Sequence, residues 1–501
     1  MSGILTLEQW RERAEHQTYK TQAFIDGRYV DAASGKTLAV ICPSTGELLA
    51  EVAECDSEDV DRAVAAARRS FESGVWSMMA KKDRKAVLLR FADLIDENME
   101  ELALIETLDC GKPISFSVKK DITGTAIMIR WFAEAIDKIN DEIVPSRSDA
   151  IAMVTREPMG VVAAVVPWNY PMYLGYGAKV APALAAGNSV ILKPAEQTPL
   201  SAIWAAELAS QAGIPDGVFN VLPGFGETAG QALGRHMDVD CVTFTGSGEI
   251  GKMFMKDSGD TNMKRVSLEC GGKSPQVVLA DCDLDLAGQV VAKGIFYNQG
   301  EVCNAGSRVI VEAPVKDALV ERVIENSKKY MPHDPLDPTT EMGAILDAVQ
   351  LKRITDYVEI GKQEGAELVL GGARVMEETG GFYFPPTVFD KVDNDMRLAR
   401  EEIFGPVLSV ITCDGFDDGI RIANDSDFGL TGSVWTKDID KAHKAARALR
   451  CGVVWINEYN VSEMSTPFGG YKQSGFGRDK SLHALDKYCE LKCTWIQLHD
   501  Q

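Results

Sequence analysis

Val242-Thr243-Phe244-Thr245-Gly246-Ser247-Gly248-Glu249-Ile250-Gly251 joins four strand-forming residues to the spacing G-x-G-x-x-G, and a helix-like segment begins near Lys252. A glycine-rich turn between a strand and a helix lets backbone N–H groups at the helix N-terminus meet a pyrophosphate without interference from a Cβ. The run predicts one βα unit of a dinucleotide-binding sheet, although an ordinary βα turn can carry the same letters. In such a fingerprint an acid about 20 residues downstream holds the ribose. Glu269 lies close to that distance, so spacing alone assigns it to the cofactor.

The texture on both sides supports an α/β fold. Upstream, the apolar runs 160–166, 189–192 and 218–221 alternate with helix-like segments such as 200–212, the pattern of βαβ units around a parallel sheet. Downstream, a second alternation starts near Ser267, with runs at 276–279, 307–311, 407–411 and 432–435. The N-terminal third is helix-rich: Val60, Ala63, Val64, Ala67 and Phe71 repeat at helical spacing behind Asp56, and a second helix is predicted from Arg84 to Glu106. The segments 143–157 and 488–498 are rich in β-formers, lie outside both alternating blocks, and are expected to pair as an appended arm.

Composition narrows the function. A chain of 501 residues, 45% of them hydrophobic, is long enough for more than one packed domain. With 52 Lys and Arg against 74 Asp and Glu, the net charge of −22 argues against a polyanion-binding surface, so no nucleic-acid partner is expected. Residues 1–24 mix Glu8, Arg11, Glu12, Arg13 and Glu15 among apolar positions, unlike a signal peptide, and the purest apolar run, 161–166, is far shorter than a membrane span. A cytoplasmic protein without a membrane partner is expected. The 11 cysteines form no C-x-x-C pair or His cluster at ligand spacing, so no metal site is expected.

Two further stretches change the reading of Glu269: Leu268-Glu269-Cys270-Gly271-Gly272-Lys273-Ser274-Pro275, and Phe296-Tyr297-Asn298-Gln299-Gly300-Glu301-Val302-Cys303. With them stand Pro167-Trp168-Asn169-Tyr170-Pro171, Leu192-Lys193-Pro194-Ala195-Glu196, Glu401-Glu402-Ile403-Phe404-Gly405-Pro406 and Pro467-Phe468-Gly469-Gly470. Taken together, in this order, they resemble the aldehyde dehydrogenase family. The resemblance runs over nearly the whole chain from about Ala23.

It implies a Rossmann-like cofactor domain (1–135 and 158–268), a catalytic α/β domain (269–485) and a small β arm for oligomerisation (136–157 and 486–501). It also implies oxidation of a small-molecule aldehyde to an acid with NAD, NADP being less preferred, by a homodimer or homotetramer. Cys303 would be the nucleophile, Asn169 and the Cys303 backbone N–H would stabilise the oxyanion, and Glu269 would activate the hydrolytic water. Trp168, Lys193, Glu196, Gly226, Gly246, Ser247, Glu402 and Phe404 match the family's cofactor contacts. Tyr170, Tyr297 and Phe468 would line the substrate pocket, with Tyr173 and Tyr176 nearby. Two places depart from the family pattern. The segment 172–179 is one residue longer than usual and carries Gly177-Ala178, and Asp479 replaces a Glu after Gly477-Arg478. A cysteine hydrolase would also need an activated thiol, but none of the six histidines lies in a recognisable motif.

Within the family, the runs 106–113, 129–138 and 477–485 resemble bacterial γ-glutamyl-γ-aminobutyraldehyde and guanidinobutyraldehyde dehydrogenases of polyamine breakdown. That points to an ω-amino or γ-glutamyl-aminobutyraldehyde substrate, with Asp121, Glu458 or Glu463 at the tunnel mouth to attract a distal cation. The aromatic residues suit instead an apolar or aryl aldehyde such as indole-3-acetaldehyde.

Overall fold

The computed structural model describes residues 5–499; residues 1–4 and 500–501, which fall at the ends of the expected cofactor and arm segments, lie outside them. Five parallel strands form the middle of an eight-stranded sheet, in the order Phe219–Val221, Ser189–Lys193, Val161–Val165, Cys241–Gly246, Arg265–Cys270. Every residue of Val161–Val165 and Ser189–Lys193 is buried, which is why these strands read as unbroken apolar runs. The chain winds outward from Val161–Val165 on one side, then returns to lay Cys241–Gly246 on the other. Strands on either side of such a reversal leave a crevice at their carboxyl ends, the place where ligands bind in open α/β sheets. Trp168, Asn169, Gly246 and Ser247 stand at those two ends. Ser247 caps the following helix, Gly248–Asp260, accepting the Ile250 N–H at 3.3 Å; the helix thus starts four residues before Lys252.

A seven-stranded sheet runs Glu367–Leu370, Thr387–Asp390, Val407–Cys413, Arg308–Glu312, Pro275–Val278, Thr431–Trp435, Val453–Ile456, parallel except for the first pair. The expected arm pairs as read: Cys489–Gln497 runs antiparallel to Ala150–Pro158, with Glu142–Val144 on its other edge. The short strand Gly475–Phe476 crosses back to pair with Leu268 and Glu269 at the edge of the first sheet.

Two segments depart from their sequence reading. The helix expected from Arg84 to Glu106 is two helices, Lys81–Glu97 and Met99–Cys110. They break at Asn98 (φ −108°, ψ 20°), whose side-chain amide donates to the Leu94 carbonyl at 2.8 Å and so competes with the helical ladder. The lengthened segment after Tyr170 is wound as a π-helix, Pro171–Val180, a form that takes up an extra residue within a turn and is frequent at functional sites. The loss of side chains at two glycines lets it pack closely: a Cβ on Gly177 would stand 2.5 Å from the Met128 sulfur, and one on Gly124 would stand 2.7 Å from the Tyr173 ring.

Candidate active site

Cys303 is delivered by a strained turn. Helix Leu284–Phe296 ends in a short 3-10 turn where Asn298 (φ 48°), Gln299 (φ 57°) and Gly300 (φ 70°) are all left-handed. Each such non-glycine residue costs about 1–3 kcal/mol and persists only where its surroundings over-determine it. Here Gln299 is held between the Gly343 N–H and the Ala344 carbonyl, and Asn298 donates to the Glu301 carbonyl. A Cβ at position 300 would lie 2.3 Å from the Gly405 carbonyl, so this step admits only glycine.

Cys303 borders two cavities. One, of about 480 Å³, is lined by Tyr170, Tyr173, Tyr297, Trp455 and Phe468, with Lys120, Glu463 and Lys480 also on its wall. The other, of about 230 Å³, is bounded by Trp168, Asn169, Gly246, Ser247, Glu269, Glu402 and Phe404 and coincides with the crevice at the sheet reversal. Burial pushes the Cys303 thiol up to about 12, with the charges of Glu402 and Glu269 adding to the effect. The resting group at neutral pH is therefore a thiol. Because its pKa lies far above the working range, the thiolate fraction rises with pH throughout it. Without added cofactor, alkylation of Cys303 by iodoacetamide is expected to quicken about tenfold per pH unit from pH 7 to 10. A plateau near pH 8.5 in peptide-level mass spectrometry would contradict this.

Asn169 is buried; its amide N–H donates to the Glu301 carbonyl at 2.8 Å while its Oδ1 has no partner, and Lys112 Nζ donates to its backbone carbonyl at 2.6 Å. Glu269 is 3% exposed and neither carboxylate oxygen has a partner. Burial pushes its carboxyl well above the usual range and the Asp479 charge adds to this, against the pull of Lys179, Lys487 and Arg478. Gly469 makes room for it: a Cβ there would come within 2.7 Å of Glu269 Oε1. Asp479 accepts from Lys179 at 2.7 Å and from Lys487. Burial opposes its charge, but the two lysines outweigh it and hold its carboxyl below the usual range.

The crevice fits a dinucleotide. Glycines and the capped helix end offer backbone donors at Gly246–Gly248, where a Cβ on Gly248 would meet no atom closer than 3.9 Å. Glu402 is anchored by the Gly272 N–H at 3.0 Å, and burial lifts its carboxyl to about 7. Phe404, in the left-handed region at φ 62°, meets the Trp168 ring edge-on at 5.1 Å. Lys193, Glu196 and Gly226 do not border this cavity. They form a neighbouring group at the end of strand Ser189–Lys193, where Lys193 Nζ donates to Glu196 at 3.2 Å and Gly226 has open space around its Cα.

Several sequence expectations are corrected. Asp121 is fully buried against Lys112 at 2.5 Å and is no mouth acid. Glu458 does not line the tunnel, since its carboxylate accepts the Tyr459 N–H; Glu463 does line it. Tyr176 points away into the core between Phe91 and Phe219, donating to the Ala202 carbonyl. The residues that sequence reasoning missed are Lys112 behind Asn169, the lysines that hold Asp479, and the pair Gln350 and Arg353, which donate to the carbonyls of residues 402–404 and so fix Glu402 and Phe404. Lysines scattered over the chain carry no local signal that they converge.

A half-buried thiol and a partnerless buried carboxyl stand where an open tunnel meets a crevice that fits a dinucleotide, an arrangement suited to an oxidoreductase. The model of the aldehyde dehydrogenase family matches residues 29–494. The NADP/NAD-dependent aldehyde dehydrogenase PuuC of Escherichia coli is 49% identical over 98% of this chain and 99% of its own. An indole-3-acetaldehyde dehydrogenase solved with NAD+ is 54% identical, with a TM-score of 0.98 over 99% of this chain and 100% of that one. The γ-glutamyl-γ-aminobutyraldehyde dehydrogenase of Burkholderia cenocepacia is 53% identical, with a TM-score of 0.97 over the same shares. The chain belongs to the aldehyde dehydrogenase family and is an oxidoreductase acting on aldehydes.

Proposed function

We propose that this enzyme uses NAD to oxidise an aldehyde of the ω-amino or γ-glutamyl-aminobutyraldehyde type. The observation that carries the reading is the shape of the tunnel: aromatic and apolar walls beside Cys303 give way to exposed Lys120 and Glu463 at its outer end. Such a tunnel suits a substrate with a hydrocarbon stem and a charged far end. The relative from Burkholderia cenocepacia that is named for γ-glutamyl-γ-aminobutyraldehyde supports it. The aromatic walls also favour a second reading, an aryl aldehyde, as in the indole-3-acetaldehyde relative. Steady-state assays decide between them. γ-Glutamyl-γ-aminobutyraldehyde or aminobutyraldehyde is expected to give the highest kcat/KM, and a tenfold advantage for indole-3-acetaldehyde or hexanal, about 1.4 kcal/mol in transition-state binding, would reject the first reading.

In the mechanism, Cys303 Sγ attacks the aldehyde carbon and its proton is lost, giving a hemithioacetal oxyanion. The remaining amide N–H of Asn169 and the Cys303 backbone N–H would donate to that oxygen, donors of a kind worth about 10²–10³ in rate each. NAD held in the crevice would supply the hydride acceptor that lets this carbon become a thioester carbonyl. Glu269 takes a proton from water as it attacks the thioester, releasing the acid and restoring the thiol. Ser247 and Trp168 would hold the pyrophosphate, Glu402 and Phe404 the nicotinamide end, and Lys193, Glu196 and Gly226 the adenosine end.

A carboxylate at Glu196 accepts ribose hydroxyls and repels a 2′-phosphate, whereas Lys193 beside it softens that repulsion. NAD is therefore expected to exceed NADP in kcat/KM, and Glu196→Gln should narrow the gap. Equal efficiencies in the unaltered enzyme would reject the preference. The eleven free cysteines suit a reducing, cytoplasmic setting. Exposed Ile143, Leu491 and Trp495 on the three-stranded arm favour a homo-oligomer joined through it.

A further inference from the structure

Lys480 is the odd charge in the tunnel. It is 7% exposed and lines the cavity, yet the only polar partner of its ammonium among the described residues is the Ser462 hydroxyl at 2.5 Å. Three other buried lysines, Lys112, Lys179 and Lys487, are paired with carboxylates, whereas Lys480 is not. Its backbone is strained as well: Lys480 (φ 58°) and Ser481 (φ 51°) are consecutive left-handed residues without a glycine. The Phe468–Asp479 backbone pair and the Ser481 N–H to Met464 carbonyl bond hold this turn, so the chain spends conformational energy to point Lys480 inward. Burial, with the Lys120 charge adding to it, lowers the ammonium to about 8, against Glu463 and Asp479. Lys120 lies on the same wall, its ammonium 5.7 Å from the centre of the Tyr173 ring, and neither it nor Glu463 has an ion-pair partner among the described residues.

We propose that Lys480, with the Ser462 hydroxyl and Lys120, forms a distal subsite for a carboxylate on the substrate, and that Glu463 on the same wall takes an ammonium beside it. The preferred aldehyde then ends in an α-amino acid rather than in a bare amine. A free ω-ammonium would meet the unneutralised Lys480 and be disfavoured, whereas a carboxylate would pair with it in a site of low dielectric. This rests on the reading of the site as an ω-amino-type aldehyde dehydrogenase and narrows its substrate class.

The test compares aldehydes with and without a far carboxylate: 6-oxohexanoate against hexanal, which have the same chain length, and γ-glutamyl-γ-aminobutyraldehyde against aminobutyraldehyde, which lacks the whole glutamyl group. The unaltered enzyme is expected to prefer the carboxylate-bearing member of each pair at least tenfold in kcat/KM, with a preference that shrinks as NaCl is raised. Lys480→Gln should reduce each preference at least tenfold, mainly through KM, and Lys480→Arg should restore most of it. No preference in the unaltered enzyme, or an equal loss on both members of each pair in soluble Lys480→Gln, would overturn the subsite. Because the unaltered enzyme alone can refute the proposal, a variant that fails to fold does not shield it. If an indolic aldehyde beats every charged substrate while 6-oxohexanoate is still preferred to hexanal and loses selectively in Lys480→Gln, the subsite stands and the broader substrate reading falls.

Discussion

Cys303→Ala is expected to abolish aldehyde oxidation, a loss on the order of 10⁶-fold, the scale set when an enzyme loses its nucleophile. The side chain borders both cavities, and no other described cysteine borders either. Cys270, directly before the glycine pair 271–272, is buried and its thiol pushed up to about 12 chiefly by burial, so it is no substitute. Removing one sulfur from a part-exposed position leaves a small gap at the meeting of two open spaces, so the fold and the dinucleotide crevice should survive. Calorimetric titration with NAD is thus expected to give an affinity within a few-fold of the parent. Appreciable NADH production by a clean Cys303→Ala sample would refute covalent catalysis, and loss of NAD binding would show that the residue had been supporting structure.

Glu269→Gln should separate the two half-reactions. The amide keeps the shape of the carboxyl but cannot accept a proton from water, and general-base groups contribute about 10²–10⁴-fold. Acyl-enzyme is expected to accumulate, seen as a mass increase on the Cys303 peptide after aldehyde and NAD, with a burst of NADH of about one per active site before slow turnover. The pH profile of the parent supports the same assignment. Since the Glu269 carboxyl is raised, its base form is scarce at low pH and grows as pH rises through that raised value, so deacylation should speed up with pH over the range where an ordinary glutamate is already fully ionised. If the variant turns over normally but has lost NAD affinity, the ribose assignment that spacing alone favoured is the correct one.

How much of this was legible follows from what each feature depends on. The parallel strands were readable because both faces of each are buried, which leaves an apolar signature at 161–165 and 190–192. Cys303, Glu269 and Asn169 could be proposed from sequence because each sits in a local motif. Tyr170, Tyr297 and Phe468 share one tunnel wall as expected. What escaped was long-range. The break at Asn98 depends on one side chain capturing a carbonyl that an apolar pattern does not register. Asp121 looked like a surface acid because its partner, Lys112, is nine residues away and its burial is decided by helices packed around both. The lysines on Asp479 come from residues 179 and 487, and only the folded chain brings them to one carboxylate.

The position of Cys303 between two cavities governs traffic as well as chemistry. On the proposed roles of the two cavities, substrate and cofactor approach the sulfur by separate doors, so either can arrive without waiting for the other to move. Glu269, however, borders only the crevice and not the tunnel. Once the acyl group is on the sulfur, its tail plugs the tunnel behind it. On the proposed mechanism the water that frees it must then enter from the cofactor side, through the space beside Glu269. One berth is occupied twice in each cycle, first for oxidation and then for hydrolysis, and the order of the two half-reactions is a matter of vacancy as much as of reactivity.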